Sequence, residues 1–485
     1  MTDCSSPGAA ARAPAPTAAP MAAAAAGRPS ARERRFTLAL VALGMFMAVL
    51  DTTIVNVALP AMRASLGATV AGLAWIVDAY TLSFAALILA GGVLSDRFGA
   101  KHAYLAGLAI FVLASAGCGF APSVTVLVAA RFAQGMGAAL FLPASLAIVR
   151  NTFDVPAERA RAIAVWASIA SVAASVGPVL GGVLVEDFGW RSAFLVNVPT
   201  GALALAGAAV LVRASARSAA RRFDWAGQFA SAAALGALCF AAIEMPTRGP
   251  GATDVLLALL VAVLAAAVLI AVERRSAAPM VPLAWFRNRV FVAMNVMGTL
   301  VYVGYFALLF ILSLYLHGSV GLNARQTGLM LLPLALSLSF GNVLSGKLHG
   351  RASATQLMAG GLLLSTCAVP ALAAALTLRA PWPVVWAAMA AFGTGTALSV
   401  PPMIATVLEQ VPADAAGVAS GFLNAARQAG SLLGVAFAGA ATMLLPNLAA
   451  ALRAVAALGF AAYAVAALVA LMAGARIAKL ARRHA

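Results

Sequence analysis

Apolar stretches long enough to cross a bilayer recur along the chain, separated by short breaks rich in charge, proline or glycine. The first six fall at 36–60, 73–94, 103–120, 124–149, 161–185 and 193–212. Two more, Trp225 to Ile243 and Val255 to Val272, carry no charge at all. Six others follow near 290–316, 326–346, 355–376, 383–407, 416–442 and 454–474. A membrane helix needs about 20 mainly apolar residues, so the pattern predicts about fourteen spans arranged as six, two and six.

Composition narrows the class to an all-α integral membrane protein. Hydrophobic residues make up 63% of the chain and charged residues 10%, against about 25% charged in soluble proteins. Most of the surface must therefore face lipid, which excludes a soluble enzyme. The net charge of +17 would suggest nucleic acid in a soluble chain, but here it follows topology. With the N-terminus inside, 24 of the 32 basic residues fall in inner loops and tails, six in outer loops, and Arg131 and Arg427 within spans. Basic residues collect on the cytoplasmic side, so the expectation is a multi-pass protein of the cytoplasmic (inner) membrane with both termini cytoplasmic and no nucleic-acid partner.

The expected domains are a disordered Ala/Pro/Ser tail at 1–35, a six-helix bundle at 36–213, two extra helices with linkers at 214–285, a second bundle at 286–475 and a basic cytoplasmic tail at 476–485. Met21 is an alternative start. Cys4, Cys118, Cys239 and Cys367 are far apart, with no metal or redox spacing, and read as packing residues.

The two sixes are related by sequence. Gly135-x-Gly137-x-Ala139-Leu140-x-x-Pro143 recurs as Gly393-x-Gly395-x-Ala397-Leu398-x-x-Pro401, and Val93-Leu94-Ser95 recurs as Val343-Leu344-Ser345. Parallel six-span repeats around a midplane site are the build of a major facilitator transporter.

Ionisable groups inside spans are costly and are functional candidates by default. Asp51, Asp78 and Arg131 lie about 13, 9 and 10 Å from the outer membrane edge at about 1.5 Å rise per residue, so they are expected to meet within one half. Asn56 lies just over one turn beyond Asp51. Arg427, flanked by Asn424 and Gln428, has no acidic residue in its half at similar depth and is expected to line a wet cavity. Gly92 to Lys101 holds Gly92, Asp96, Arg97, Gly99 and Lys101 at the inner end of span 2, where the glycines allow close helix approach and Asp96 can meet a helix N-terminus. In span 5, Gly177-Pro178-x-x-Gly181-Gly182 removes a backbone hydrogen bond and thins the helix surface.

Together these residues resemble the major facilitator superfamily, and within it the fourteen-span drug:proton antiporters that export quaternary ammonium compounds, dyes and antibiotics. The likeness runs from about residue 36 to 475. It rests on Leu50-Asp51-Thr52-Thr53-Ile54-Val55-Asn56-Val57-Ala58-Leu59-Pro60, Trp75-Ile76-Val77-Asp78-Ala79-Tyr80-Thr81-Leu82, the loop Gly92 to Lys101, Arg131-Phe132-Ala133-Gln134-Gly135-Met136-Gly137 and the Gly177 to Gly182 motif. Trp190-Arg191, Asn197-Val198-Pro199-Thr200-Gly201 and Asn424-Ala425-Ala426-Arg427-Gln428 also fit. Ala100 departs from it, standing where such transporters usually carry a base.

The resemblance implies two six-helix bundles plus two central helices, and proton-driven export by alternating access. It makes Asp51 a proton or cation site, Arg131 the coupling residue, Gly92 to Lys101 a conformational latch and Gly177 to Gly182 the antiporter motif. The expected cargo is a lipophilic cation or neutral amphiphile, because the second half has no acidic residue well inside a span. No cofactor or metal is expected, the proton gradient being the energy source, and no motif specifies an adaptor protein. The other readings are a dedicated exporter of one metabolite or antibiotic and, remotely, a polytopic sensor or membrane enzyme. Short loops, only four histidines and the lack of a P-loop disfavour an enzyme or an ATP-driven pump.

Overall fold

A computed structural model describes residues 30–213, 224–276, 282–412 and 415–484. Among these residues there are fourteen long helices and no β-strand. In the first half, α1 is Ala31–Leu66, α2 Val70–Phe98, α3 Ala100–Gly119, α4 Val124–Thr152, α5 Pro156–Phe188 and α6 Ser192–Leu211. The extra pair is α7 Trp225–Arg248 and α8 Thr253–Arg275, and the second half comprises α9 Arg289–Gly318, α10 Ala324–Leu348, α11 Ala354–Thr377, α12 Trp382–Glu409, α13 Ala416–Leu444 and α14 Leu448–His484. α6 is interrupted at Val196 and α10 at Leu331.

Polar residues in the short breaks start the helices. Ser30 with Glu33, Asn323 with Gln326 and Ser353 with Gln356 form capping boxes, and Thr69, Ser123 and Asp224 each accept a hydrogen bond from a first-turn N–H. These side chains satisfy donors that the helix itself leaves unpaired.

Thirteen of the described helices are long and apolar enough to cross a membrane. The fourteenth, α13, has 29 residues but carries Asn424, Arg427 and Gln428 along its course, which dilute its apolarity. The helix ends differ from expectation in two places. α1 begins at Ala31, so residues 31–35 of the expected tail are helical, and α14 continues to His484 through most of the expected basic tail. The rest of the first tail, with Cys4 and Met21, and the linker basics Arg217, Arg221 and Arg222 lie outside the described residues.

The halves repeat one packing scheme. In the first, α1 packs on α5 and α6, α4 on α2 and α3, and α3 on α6; in the second, α9 packs on α13 and α14, α12 on α10 and α11, and α11 on α14. The repeated glycines explain the match. Gly135 lies against Tyr80 and Ser83, as Gly393 does against Leu334 and Ser337; Gly137 lies against Gly107 and Phe111, as Gly395 does against Gly361 and Ser365. Without a side chain, each lets two backbones close together.

Between the halves, α2 meets α13 and α5 meets α10, as a two-fold relation requires. α7 covers the α2/α13 side, and α8 packs on α7.

The chain's alternate connections share a face. Arg34 with Glu158 (2.6 Å), Arg213 with Glu33 (3.2 Å) and Lys101 with the Ala209 carbonyl (2.7 Å) bring loops together on the basic face where α1 begins. Polar contacts between the halves, among the described residues, run from the middle of α5 and α10 to the opposite face. Ser175 Oγ is 2.8 Å from Ser339 Oγ, and Ser313 Oγ donates to the Asn56 carbonyl at 2.5 Å. At the far end, Arg325 pairs with Asp187 and the Ala324 N–H donates to Glu186.

Candidate functional site

α1 and α4 bring Asp51 and Arg131 into a direct ion pair in which both side chains are essentially inaccessible to solvent. Asp51 Oδ2 accepts from an Arg131 terminal nitrogen, while Oδ1 accepts from Gln134 Nε2 at 2.7 Å and Asn197 Nδ2 at 3.2 Å. Arg131 also donates to Gln134 Oε1 at 2.7 Å and, through Nε, to the Ile76 carbonyl at 3.0 Å. Its guanidinium lies 4.5 Å from the Tyr80 ring centroid, close enough for a cation–π contact. Gln134 Nε2 reaches Ser115 Oγ at 2.9 Å as well. Both carboxylate oxygens are thus hydrogen-bonded, which is what makes a buried ion pair tolerable.

Asp78 does not join this cluster. Arg131 contacts Ile76 and Tyr80 on one side of α2, whereas Asp78 shares the opposite side with Trp75, Leu82 and Ala86, spaced three or four residues apart as on one helix face. That face meets α7. Trp75 Nε1 donates to Glu244 Oε1 at 2.9 Å, Gln228 donates to the Ala86 carbonyl, and Gly236 faces Leu82. Both Asp78 oxygens are buried without a hydrogen-bond partner among the described residues.

Asn56 points away from the cluster too. Its amide donates to the Thr52 carbonyl at 2.8 Å, and its backbone meets Ser313 of α9.

In the second half, Arg427 lies across the face of Tyr302, 4.4 Å from the ring centroid, and donates to its hydroxyl. Its Nε has no partner and is buried. Asn424, Gln428 and Tyr302 are half-buried. Asn295, one turn from Gly298, against which the Arg427 stem rests, has an unpartnered buried Oδ1.

The Gly177 to Gly182 motif is where α5 touches two helices at once. Gly177 and Gly181 lie against Thr53 and Ile54 of α1; Gly182 lies against Ala324 and Arg325 of α10, and the Pro178 carbonyl against Gly328. In the expected latch, the close approach falls on Gly91, which meets the Ala139 backbone, while Gly92 faces open space. Gly99 takes a left-handed φ of 91° that a side chain would strain. Asp96 and Arg97 are exposed, and Lys101 holds α6.

Gln134, Asn197 and Tyr302 are the residues that sequence reasoning did not single out. Gln134 carried a usable signal, since a residue three positions after Arg131 shares its helix face. Asn197 stood in a motif that fits the resemblance but was given no role there, and Tyr302 carried no signal, because each reaches its arginine from another helix.

Two equivalent six-helix halves, an ion pair sealed in one and an unpaired guanidinium in the other define a membrane transporter. The chain belongs to the major facilitator superfamily, whose model matches residues 41–435. It is 37% identical over 84% of its length to the multidrug resistance protein Stp of Mycobacterium tuberculosis (strain CDC 1551 / Oshkosh), covering 76% of that protein. It is 38% identical over 82% of its length to the methylenomycin A resistance protein of Streptomyces coelicolor (strain ATCC BAA-471 / A3(2) / M145), covering 84% of it. The fold is shared with a bacterial homologue of the human lysosomal transporter Spinster in an inward-facing, unoccupied conformation (TM-score 0.66, 17% identity, 92% of this chain and 98% of that one). This protein is therefore a multi-pass membrane transporter of small molecules in a drug-efflux family, not an enzyme.

Proposed function

We propose that the protein exports drugs or other amphiphilic small molecules from the cytoplasm across the cytoplasmic membrane in exchange for protons, by alternating access. The observation that carries this reading is the division of buried charge in the first half. Asp51 is fully bonded to Arg131, Gln134 and Asn197, while Asp78 is buried with no partner among the described residues. A charged carboxyl without hydrogen bonds is expensive in an apolar setting and a protonated one is not, which suits Asp78 to carrying a proton. The Asp51 carboxylate, closed in by Arg131, Gln134 and Asn197, becomes accessible only when α1 and α4 part.

The polar contacts between the halves favour a cavity open toward the basic face, which the charge distribution makes the cytoplasmic side. The Gly177 to Gly182 motif joins α5 to both α1 and α10, so movement of the second half against the first is transmitted to the helix bearing Asp51. Of the cargo classes expected from sequence, the neutral amphiphile is retained here, because Asp51 is neutralised by Arg131. The methylenomycin A resistance protein is named for a single antibiotic, which favours a dedicated exporter as the second reading.

The test is dye export from cells with and without the protein, with a protonophore control. A neutral amphiphilic dye or an antibiotic panel should be extruded only while the proton gradient stands. Export that survives gradient collapse would overturn the proton-driven mechanism.

A further inference from the structure

Two arginines within the spans occupy the two halves in opposite states, Arg131 buried and Arg427 half-buried. Arg131 spends its donors on the Ile76 carbonyl, Asp51 and Gln134. Arg427 donates only to the Tyr302 hydroxyl among the described residues, and its Nε is left without a partner. The second half has two acidic residues in its sequence, Glu409 and Asp414; Glu409 is the last residue of α12, and Asp414 lies outside the described residues. Among the described residues, Arg427 has no ion-pair partner, and its one hydrogen bond goes to the neutral Tyr302 hydroxyl.

We propose that the α9/α13 pocket around Arg427 receives an anionic oxygen of the cargo, so that acidic amphiphiles such as carboxylates or sulfonates are preferred over cations. This deepens the export reading above and rests on it. A guanidinium has five N–H donors and no acceptor, so what completes its shell must be an oxygen or another acceptor, best of all an anion held by charge-assisted bonds. A cation brought to the same place is repelled, and the repulsion is strong where water is scarce.

The surroundings suit an aromatic acid. The Tyr302 ring packs at a tilt against Phe306, 5.5 Å between centroids, and Phe306 meets Tyr305 edge-on at 5.2 Å. These half-buried rings give the apolar body of a cargo a wall beside the charge. Asn295, one turn from the Gly298 against which the Arg427 stem rests, adds a second polar side chain, 6% exposed, whose Oδ1 has no partner among the described residues. A guanidinium acting only to tie α13 to α9 would be expected to use its remaining donors on backbone carbonyls, as Arg131 does at Ile76.

The test uses the purified full-length protein and three naphthalenes of matched shape: 2-naphthalenesulfonate, neutral 2-naphthalenesulfonamide and cationic 2-naphthyltrimethylammonium. Binding is measured by calorimetry in lipid nanodiscs, and uptake into proteoliposomes under an imposed pH gradient is measured separately. The sulfonate should bind about tenfold or more tighter than the ammonium, a difference of about 1.4 kcal/mol. Arg427→Gln should lower sulfonate affinity at least about tenfold while changing the sulfonamide by less than about threefold, scaled to that same energy. Arg427→Lys should keep part of the preference, and Tyr302→Phe, which keeps the guanidinium, should keep the order of the three probes.

The proposal fails if the ammonium binds as tightly as the sulfonate, if none of the three binds, or if Arg427→Gln leaves the preference intact. Should Arg427→Gln not fold, the wild-type order and the Tyr302→Phe order still decide. Selective sulfonate binding with no uptake of any probe keeps the pocket and removes proton-driven export. Uptake of the ammonium in preference to the sulfonate does the reverse.

Discussion

Arg325, at the start of α10, grips Asp187, near the end of α5, with two hydrogen bonds of 2.5 and 2.7 Å, tying the two halves together on the face opposite the basic one. Both side chains are well exposed, at 47% and 39%, and exposed pairs contribute about 1 kcal/mol or less. Asp187→Asn should therefore tilt the balance of conformations toward opening on that face by no more than about fivefold. Spin-label distances across α5 and α10 at that end would lengthen. A change far above that size would mean the pair does more than close the face.

Asp51→Asn should abolish proton-coupled efflux. It removes the charge that balances Arg131 in a site closed to water, and breaking a buried pair costs about 3–5 kcal/mol. The variant should melt well below wild type. Asp51→Asn with Arg131→Gln should recover much of that stability, since no lone charge remains, but none of the transport. Wild-type dye efflux in the single variant would remove Asp51 from the mechanism.

Asp78→Asn should behave in the opposite way. Among the described residues, Asp78 makes no hydrogen bond that the change could break, so the melting temperature should move by an amount worth less than about 1 kcal/mol, within the range of substitutions that disturb no partner. Efflux should nonetheless lose its dependence on the proton gradient. A variant that melts much lower yet transports normally would assign Asp78 to packing against α7.

Gln134→Leu should cost about 1–3 kcal/mol, the penalty for stranding a buried polar partner, because Asp51, Arg131 and Ser115 each lose a bond. The thermal shift on purified protein measures this, and a neutral result would show that water replaces the amide.

Gly137→Ala and Gly395→Ala should destabilise their two halves alike. A Cβ at Gly137 would stand 2.6 Å from the Phe111 nitrogen, and one at Gly395 2.6 Å from Ser365 Oγ and 2.9 Å from its nitrogen. Overpacking of this kind costs about 1–3 kcal/mol. If one variant were tolerated and the other not, the packing equivalence of α4 and α12 would not extend to energy.

Much of this molecule is written along the chain. Spans, their six, two and six grouping, the repeat and the sidedness of charge follow from local rules, because lipid demands about twenty apolar residues per helix and lets few charges through. The Gly135/Gly393 repeat even carried its packing role, since a residue without a side chain at a helix contact has one evident use.

Tertiary structure decided which buried groups meet. Asp51, Asp78 and Arg131 have similar computed depths, and depth alone puts all three together; helix rotation separates them, turning Asp78 toward α7 and leaving Asp51 to Arg131. The same kind of rotation moved the close approach from Gly92 to its neighbour Gly91. Asn197 and Tyr302 completed the two arginine sites from helices whose relation no spacing encodes. The sequence by itself determined how many helices cross, where they start and that a few charges lie among them. Only the packing of those helices decided which charge is satisfied and which is free, because a partner's identity depends on the azimuth of two separate helices and hydropathy records only position along one.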